Sequence, residues 1–222
     1  MTTLIKICGI TTPAALDAAL AGGADMVGFV RYPRSPRHVD LERGRELSAL
    51  ANGRAERVLL VVDPDDAELD ESVDAIAPDV IQLHGRETPE RVVDIRSRTG
   101  RPIMKAVGIA RTDDLARLTD YAGAADRMIL DAKPPRGSTL PGGNGRAFDW
   151  SLLDGLDPQL DVMLSGGLDP ANVAQAIGRT RVRAVDVSSG VETHPGEKDP
   201  DRIRAFIAAA RAAFAAQDRT AS

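Results

Sequence analysis

A single cysteine, Cys8, stands in 222 residues. That excludes an internal disulfide framework and fits a reducing compartment. Aromatic residues make up only 3%, too few to build a base-stacking platform for nucleic acid. The three histidines are scattered, and with one cysteine they give no metal-ligand spacing. No apolar run reaches the length needed to cross a bilayer. Positive charge is not in excess: 28 Lys and Arg face 33 Asp and Glu, a net charge of -5. No basic face therefore points to nucleic acid. The first residues enter a strand pattern directly, without a basic start followed by an apolar stretch. These absences lead to the expectation of a cytoplasmic protein with a small-molecule ligand, no metal, and neither a nucleic-acid nor a membrane partner.

What the chain does have is hydrophobic content of 43%, with 20 glycines and 14 prolines. Its length suits one large domain or two small ones. Short apolar runs alternate with helical patterns along the whole sequence. Strands are expected at Leu4 to Cys8, Met26 to Val30, Arg57 to Val62, Asp79 to Leu83, Pro102 to Val107, Arg127 to Leu130, Val162 to Leu164 and Ala184 to Val187. Thr12-Pro13 reads as a helix start, with Thr12 as cap and Pro13 at the first position. Eight strand–helix units with no break in composition imply a parallel sheet, and in one domain a closed (β/α)8 barrel. The expected domain is residues 1–222, with a tail from about 217 lacking structure. An open doubly wound sheet is the alternative, but no G-x-G-x-x-G follows the first strand.

In such a barrel, function sits at the C-terminal ends of the strands. Strands seven and eight end in small residues: Ser165-Gly166-Gly167 and Ser188-Ser189-Gly190. Asp169 is placed to cap the helix after the first turn, with Pro170 at its first position. One such turn is ordinary. Two in adjacent units offer unshielded N–H groups that favour a phosphate.

Other polar residues also end strands. Cys8 and Lys6 share one face of the first strand, because side chains alternate along a strand. An ammonium next to a thiol favours the thiolate, giving a base or nucleophile. Asp131 ends strand six, before a long loop, and suits an acid. Cys8 and Asp131 come from distant strands, so one can remove a proton while the other supplies one, as an isomerase requires. Arg37, in an arginine-rich loop, can grip a carboxylate with two bonds. Gln82, His84 and Asp186 are supporting candidates; Asp186 is expected inside the barrel, bonded to Lys6 or to a loop backbone. The glycine- and proline-rich loop over 132–147 reads as a lid.

Taken together, Lys6-Ile7-Cys8-Gly9, Ser35-Pro36-Arg37, Gln82-Leu83-His84-Gly85, Leu130-Asp131, Gly142-Gly143-Asn144-Gly145, Leu164-Ser165-Gly166-Gly167 and Asp186-Val187-Ser188-Ser189-Gly190-Val191-Glu192 resemble the phosphoribosylanthranilate isomerase family. The resemblance covers nearly the whole chain. It implies a phosphate-binding (β/α)8 barrel that turns an aminoaldose into an aminoketose without a cofactor. It further implies Asp131 as general acid, Cys8 as general base, Arg37 on the anthranilate carboxylate, and Gly166, Gly167, Ser188, Ser189 and Gly190 on the phosphate. Family members that resemble the chain are monomers or homodimers. Arg31 stands where the family usually carries an apolar or aromatic residue. Two alternatives remain: another sugar-phosphate isomerase on a phosphate-binding barrel, which would carry aspartate rather than Cys8, or a barrel that binds a phosphorylated ligand without chemistry.

Overall fold

The structure is a computed structural model that describes residues 2–133, 147–157 and 160–220. Strands β1 (Leu4–Cys8), β2 (Met26–Arg31), β3 (Glu56–Val61), β4 (Val80–Leu83), β5 (Ile103–Ile109), β6 (Arg127–Ala132), β7 (Val162–Leu164) and β8 (Ala184–Val187) form a closed parallel barrel in sequence order. Closure is made by β1 against β8, in a register that sets Lys6 beside Asp186.

Helices α1 (Pro13–Gly22), α2 (Leu41–Ala51), α3 (Asp66–Ile76) and α4 (Pro89–Thr99) follow the first four strands. Their starts are written locally. Thr12 caps α1 by accepting from the Ala15 N–H, with Pro13 at the first position. Asp65 and Glu68 form a reciprocal capping box on α3, and Thr88-Pro89 opens α4 in the same way as α1.

Alternation along the strands divides the core in two. Ile5, Ile7, Val27, Phe29, Leu59 and Ile81 belong to the layer between strands and helices. Met26, Val58, Val80, Met104, Ile129 and Met163 fill the barrel interior. Toward the C-terminal ends the inward positions become polar: Lys6, Cys8, Gln82, Asp131 and Asp186, all buried.

Four local expectations need correcting. The helix expected after β5 is a 3-10 turn, Thr112–Ala116, followed by the short α5 (Arg117–Asp120). There the Asp114 carboxylate accepts from the Ala110 and Arg111 N–H groups and draws the turn tight. Helix α6 (Val173–Thr180) starts later than Pro170. Asp169 instead accepts from the Ala171 and Asn172 N–H groups in a turn ahead of the helix. After β8 come a 3-10 turn, Ser189–Val191, and a small antiparallel hairpin of β9 (Glu192–His194) and β10 (Glu197–Lys198), none of which was expected. The last helix, α7 (Pro200–Thr220), runs through the tail expected to lack structure. Gln217 donates to the Arg181 carbonyl, and Asp218 pairs with Arg183, so that end is docked.

Candidate functional site

One cavity opens at the C-terminal mouth of the barrel, enclosing about 670 Å³ of space, part of it open solvent. Cys8, Arg37, Gln82, His84, Asp131 and Asp186 line it, and the Ser165–Leu168 and Val187–Ser189 turns complete the wall. The structure thus brings together residues from six strand ends. Lys6 lies beneath, fully buried, and Gly190 lies outside the lining.

Cys8 stands at the end of β1 over Lys6. The Lys6 ammonium donates to Asp186 Oδ1 at 2.8 Å, and Ser165 donates to Asp186 Oδ2 at 3.0 Å. Asp186 therefore does what was expected of it, with Ser165 as a partner the sequence did not reveal. Burial lowers the Lys6 pKa, but Asp186 and Cys8 outweigh it and hold it raised. Burial also pushes the Cys8 thiol above its ordinary 9.0; Lys6 pulls the other way and does not win. The thiolate bias expected from a neighbouring ammonium is present, yet desolvation exceeds it. Gly28 on β2 leaves room here: a Cβ on it would meet Cys8 Sγ at 3.0 Å and Lys6 Nζ at 3.4 Å.

Asp131 ends β6. Its Oδ1 accepts from the Ala132 N–H at 2.9 Å, and its Oδ2 lies 3.1 Å from His84 Nε2. His84 Nδ1 in turn lies 3.2 Å from Gln82 Nε2. His84 thus stands between Gln82 and Asp131. The loop that carries it is anchored by a second buried pair, Lys105 with Glu87 at 3.0 Å. Lys105 also donates to the Gly85 carbonyl, and Glu87 accepts from the Gly85 and Asp63 N–H groups. Neither Lys105 nor Glu87 was singled out from sequence.

Arg37 is buried, and its guanidinium lies against Glu192: Nε to Oε1 and Nη2 to Oε2, both at 2.8 Å. Lys198 donates to the same carboxylate at 2.6 Å and to the Ser188 carbonyl at 2.9 Å. Burial drives the Lys198 pKa down to about 8, against the pull of Glu192. Burial would raise Glu192, but the bonds from Arg37 and Lys198 keep it below its ordinary value. Glu192 and Lys198 come from the unexpected hairpin. The sequence signal for them was a pair of opposite charges six residues apart around a Pro-Gly turn. Arg31 ties this loop down: it donates to Ser72 Oγ at 3.2 Å and to the Val39 carbonyl at 2.9 Å. Its guanidinium thus fixes the Arg37 loop to α3.

The two turns meet as the pattern implied. Gly166 and Gly167 both have positive φ, 79° and 66°. A Cβ on Gly166 would collide with the Ala132 N–H and lie 2.8 Å from Asp131 Oδ1. Gly190 serves packing: a Cβ there would collide with the Leu168 carbonyl. Of the lid expectation, residues 134–146, including Gly142 to Gly145, lie outside the described residues. Among the described residues, no cluster of three or more His, Cys, Asp or Glu is disposed to hold a metal ion. Among them too, no helix is long and apolar enough to cross a membrane.

Fold and site define a class: a (β/α)8-barrel enzyme with its polar groups gathered at the C-terminal mouth. The family model for N-(5'-phosphoribosyl)anthranilate isomerase matches residues 5–209. The N-(5'-phosphoribosyl)anthranilate isomerase of Azorhizobium caulinodans is 60% identical over 212 residues, covering 96% of this chain and 93% of that one. The crystal structure of phosphoribosyl anthranilate isomerase from Thermotoga maritima superposes with a TM-score of 0.85 at 37% identity, covering 96% of this chain and 100% of that one. A phosphoribosyl anthranilate isomerase in complex with reduced 1-(o-carboxyphenylamino)-1-deoxyribulose 5-phosphate gives 0.83 at 35% identity, covering 95% and 100%. The chain belongs to the N-(5'-phosphoribosyl)anthranilate isomerase family.

Proposed function

We propose that this chain converts N-(5'-phosphoribosyl)anthranilate to 1-(2-carboxyphenylamino)-1-deoxyribulose 5-phosphate, an Amadori rearrangement in tryptophan biosynthesis, without a cofactor. The observation that carries the reading is the meeting of Cys8 and Asp131 in one cavity, walled by the two small-residue turns. Asp131 is the acid. It protonates the ribose ring oxygen, the bond from that oxygen to C1' breaks, and the anthranilate nitrogen lone pair forms the C=N bond of a Schiff base. Cys8 is the base. It removes the C2' proton, giving an enolamine that tautomerises to the ketose.

The surrounding groups prepare these two. Lys6 counters part of the desolvation of the Cys8 thiolate. The backbone N–H groups at Gly166, Gly167, Ser188 and Ser189 suit the phosphate. Gly190 acts behind them, by letting the β7 loop approach. Arg37, set by Glu192, faces the anthranilate carboxylate. On the same reading the protein is cytoplasmic, acts on a small molecule with no nucleic-acid or membrane partner, and works as a monomer or homodimer.

The test is to generate phosphoribosylanthranilate in situ and follow loss of its anthranilate-type fluorescence. Rapid conversion by the purified chain is expected. A folded protein that leaves the signal unchanged overturns the reading.

A further inference from the structure

The cavity contains one buried polar atom whose partner is missing. Gln82 is fully buried, and its Oε1 has no hydrogen-bond partner, while its Nε2 faces His84 Nδ1. An amide nitrogen only donates, so His84 Nδ1 accepts here. The single N–H of a neutral imidazole is then at Nε2, directed at Asp131 Oδ2. This arrangement leaves no place for a further proton on Asp131 Oδ2 or on the ring. An added proton, whether on Oδ2 or on the ring, requires an N–H at Nδ1. That N–H would oppose Nε2 of Gln82 and would suit Oε1, the unpartnered atom. A half-turn of the amide supplies it.

We infer that Gln82 is a positioning residue for the acid: its amide orientation is coupled to whether the Asp131–His84 pair carries a transferable proton. With Nε2 toward His84, neither Oδ2 nor the ring holds an added proton. With Oε1 toward His84 the pair holds one proton more, taken from water, and that proton leaves through Asp131 to the ribose oxygen. The inference rests on Asp131 acting as the acid. The charged groups on the elements packed round His84 are otherwise engaged. Glu87 on its loop pairs with Lys105 on β5. Asp63 after β3 accepts from the Arg86 N–H, and Lys133 after β6 pairs with Asp114. Asp131 is the group His84 answers to.

Two measurements test it. The first needs no turnover: nitrogen-15 NMR of the imidazoles reports the tautomer directly, and His84→Asn identifies its signals among three histidines. At alkaline pH the neutral ring is expected with its proton on Nε2. In Gln82→Glu, whose carboxylate can only accept from Nδ1, the proton is expected on Nδ1. An Nδ1–H ring in the unsubstituted protein overturns the proposal. The second is kinetic. Gln82→Met should lower kcat at least about tenfold, with KM within about twofold, since only the acid step is touched. Gln82→Glu should restore part of kcat with a changed pH profile. If wild type turns over and Asp131→Asn does not, while Gln82→Met keeps full kcat, the coupling is wrong and the acid assignment stands. If Asp131→Asn keeps full activity, the acid assignment itself fails.

Discussion

Arg37 lies edge-on against Glu192, with each carboxylate oxygen 2.8 Å from a guanidinium nitrogen. The pair joins a loop after β2 to the hairpin after β8, so an arginine at the mouth is aimed by a residue 155 positions away. Lys198 extends the link to Ser188, beside the turn assigned to phosphate. One buried chain of charges thus joins the Arg37 loop to the Ser188 turn.

Glu192 should carry a pH-dependent share of stability. Its carboxyl is held below the ordinary 4.5 because the bonds from Arg37 and Lys198 outweigh burial. The folded state therefore gives up this proton more readily than the unfolded chain. The contribution is complete above pH 4.5 and is lost as pH falls below it. The gap in Tm between wild type and Glu192→Gln should narrow on acidification. Glu192→Ala, which removes the carboxylate that two buried cations share, should cost about 3–5 kcal/mol at neutral pH. Thermal unfolding across pH checks both.

Lys6→Met should move the Cys8 thiol further up. Burial already raises it above 9.0, and Lys6 is the largest opposing influence. Cys8 is the sole cysteine, so a thiolate difference spectrum against Cys8→Ser isolates it. The wild-type transition should fall above pH 9.0, and the Lys6→Met transition higher still. A transition unmoved by Lys6→Met would remove the ammonium from the account.

Gly28→Ala should damage turnover more than folding. The added methyl meets Cys8 Sγ and Lys6 Nζ together. Overpacking of this kind costs about 1–3 kcal/mol. A thiol displaced by even a fraction of an ångström should lose at least about tenfold in kcat. Steady-state kinetics beside a melting curve separates the two effects.

Arg31→Met should loosen the Arg37 loop by removing its bonds to Ser72 and Val39. KM for phosphoribosylanthranilate should rise about three- to tenfold while kcat changes little, as for a lost binding contact. An unchanged KM would show that the loop holds itself.

The barrel was legible because its signals are local. Alternation placed Lys6 and Cys8 inward and Ile5 and Ile7 outward, and capping residues marked most helix starts. The residues that line the cavity were legible at strand ends for the same reason. The partners of Arg37 and Asp131 were not, because Glu192 and His84 are far away in sequence and meet them only once the strands are assembled side by side. Two helix starts were misread where a carboxylate, Asp114 or Asp169, bonds backbone N–H groups in a tight turn instead of capping a full helix. The role of Gly28 is a matter of space beside a thiol, which no sequence pattern records.

On the proposed reading, Asp131 and Cys8 divide the acid and base work in one cavity. The direct measurement is kcat for Asp131→Asn and Cys8→Ser beside wild type, with the affinity of each for the reduced product analogue. Each variant should lose about 10²–10⁴ in kcat while binding the analogue nearly as well. Full turnover in either folded variant would contradict it.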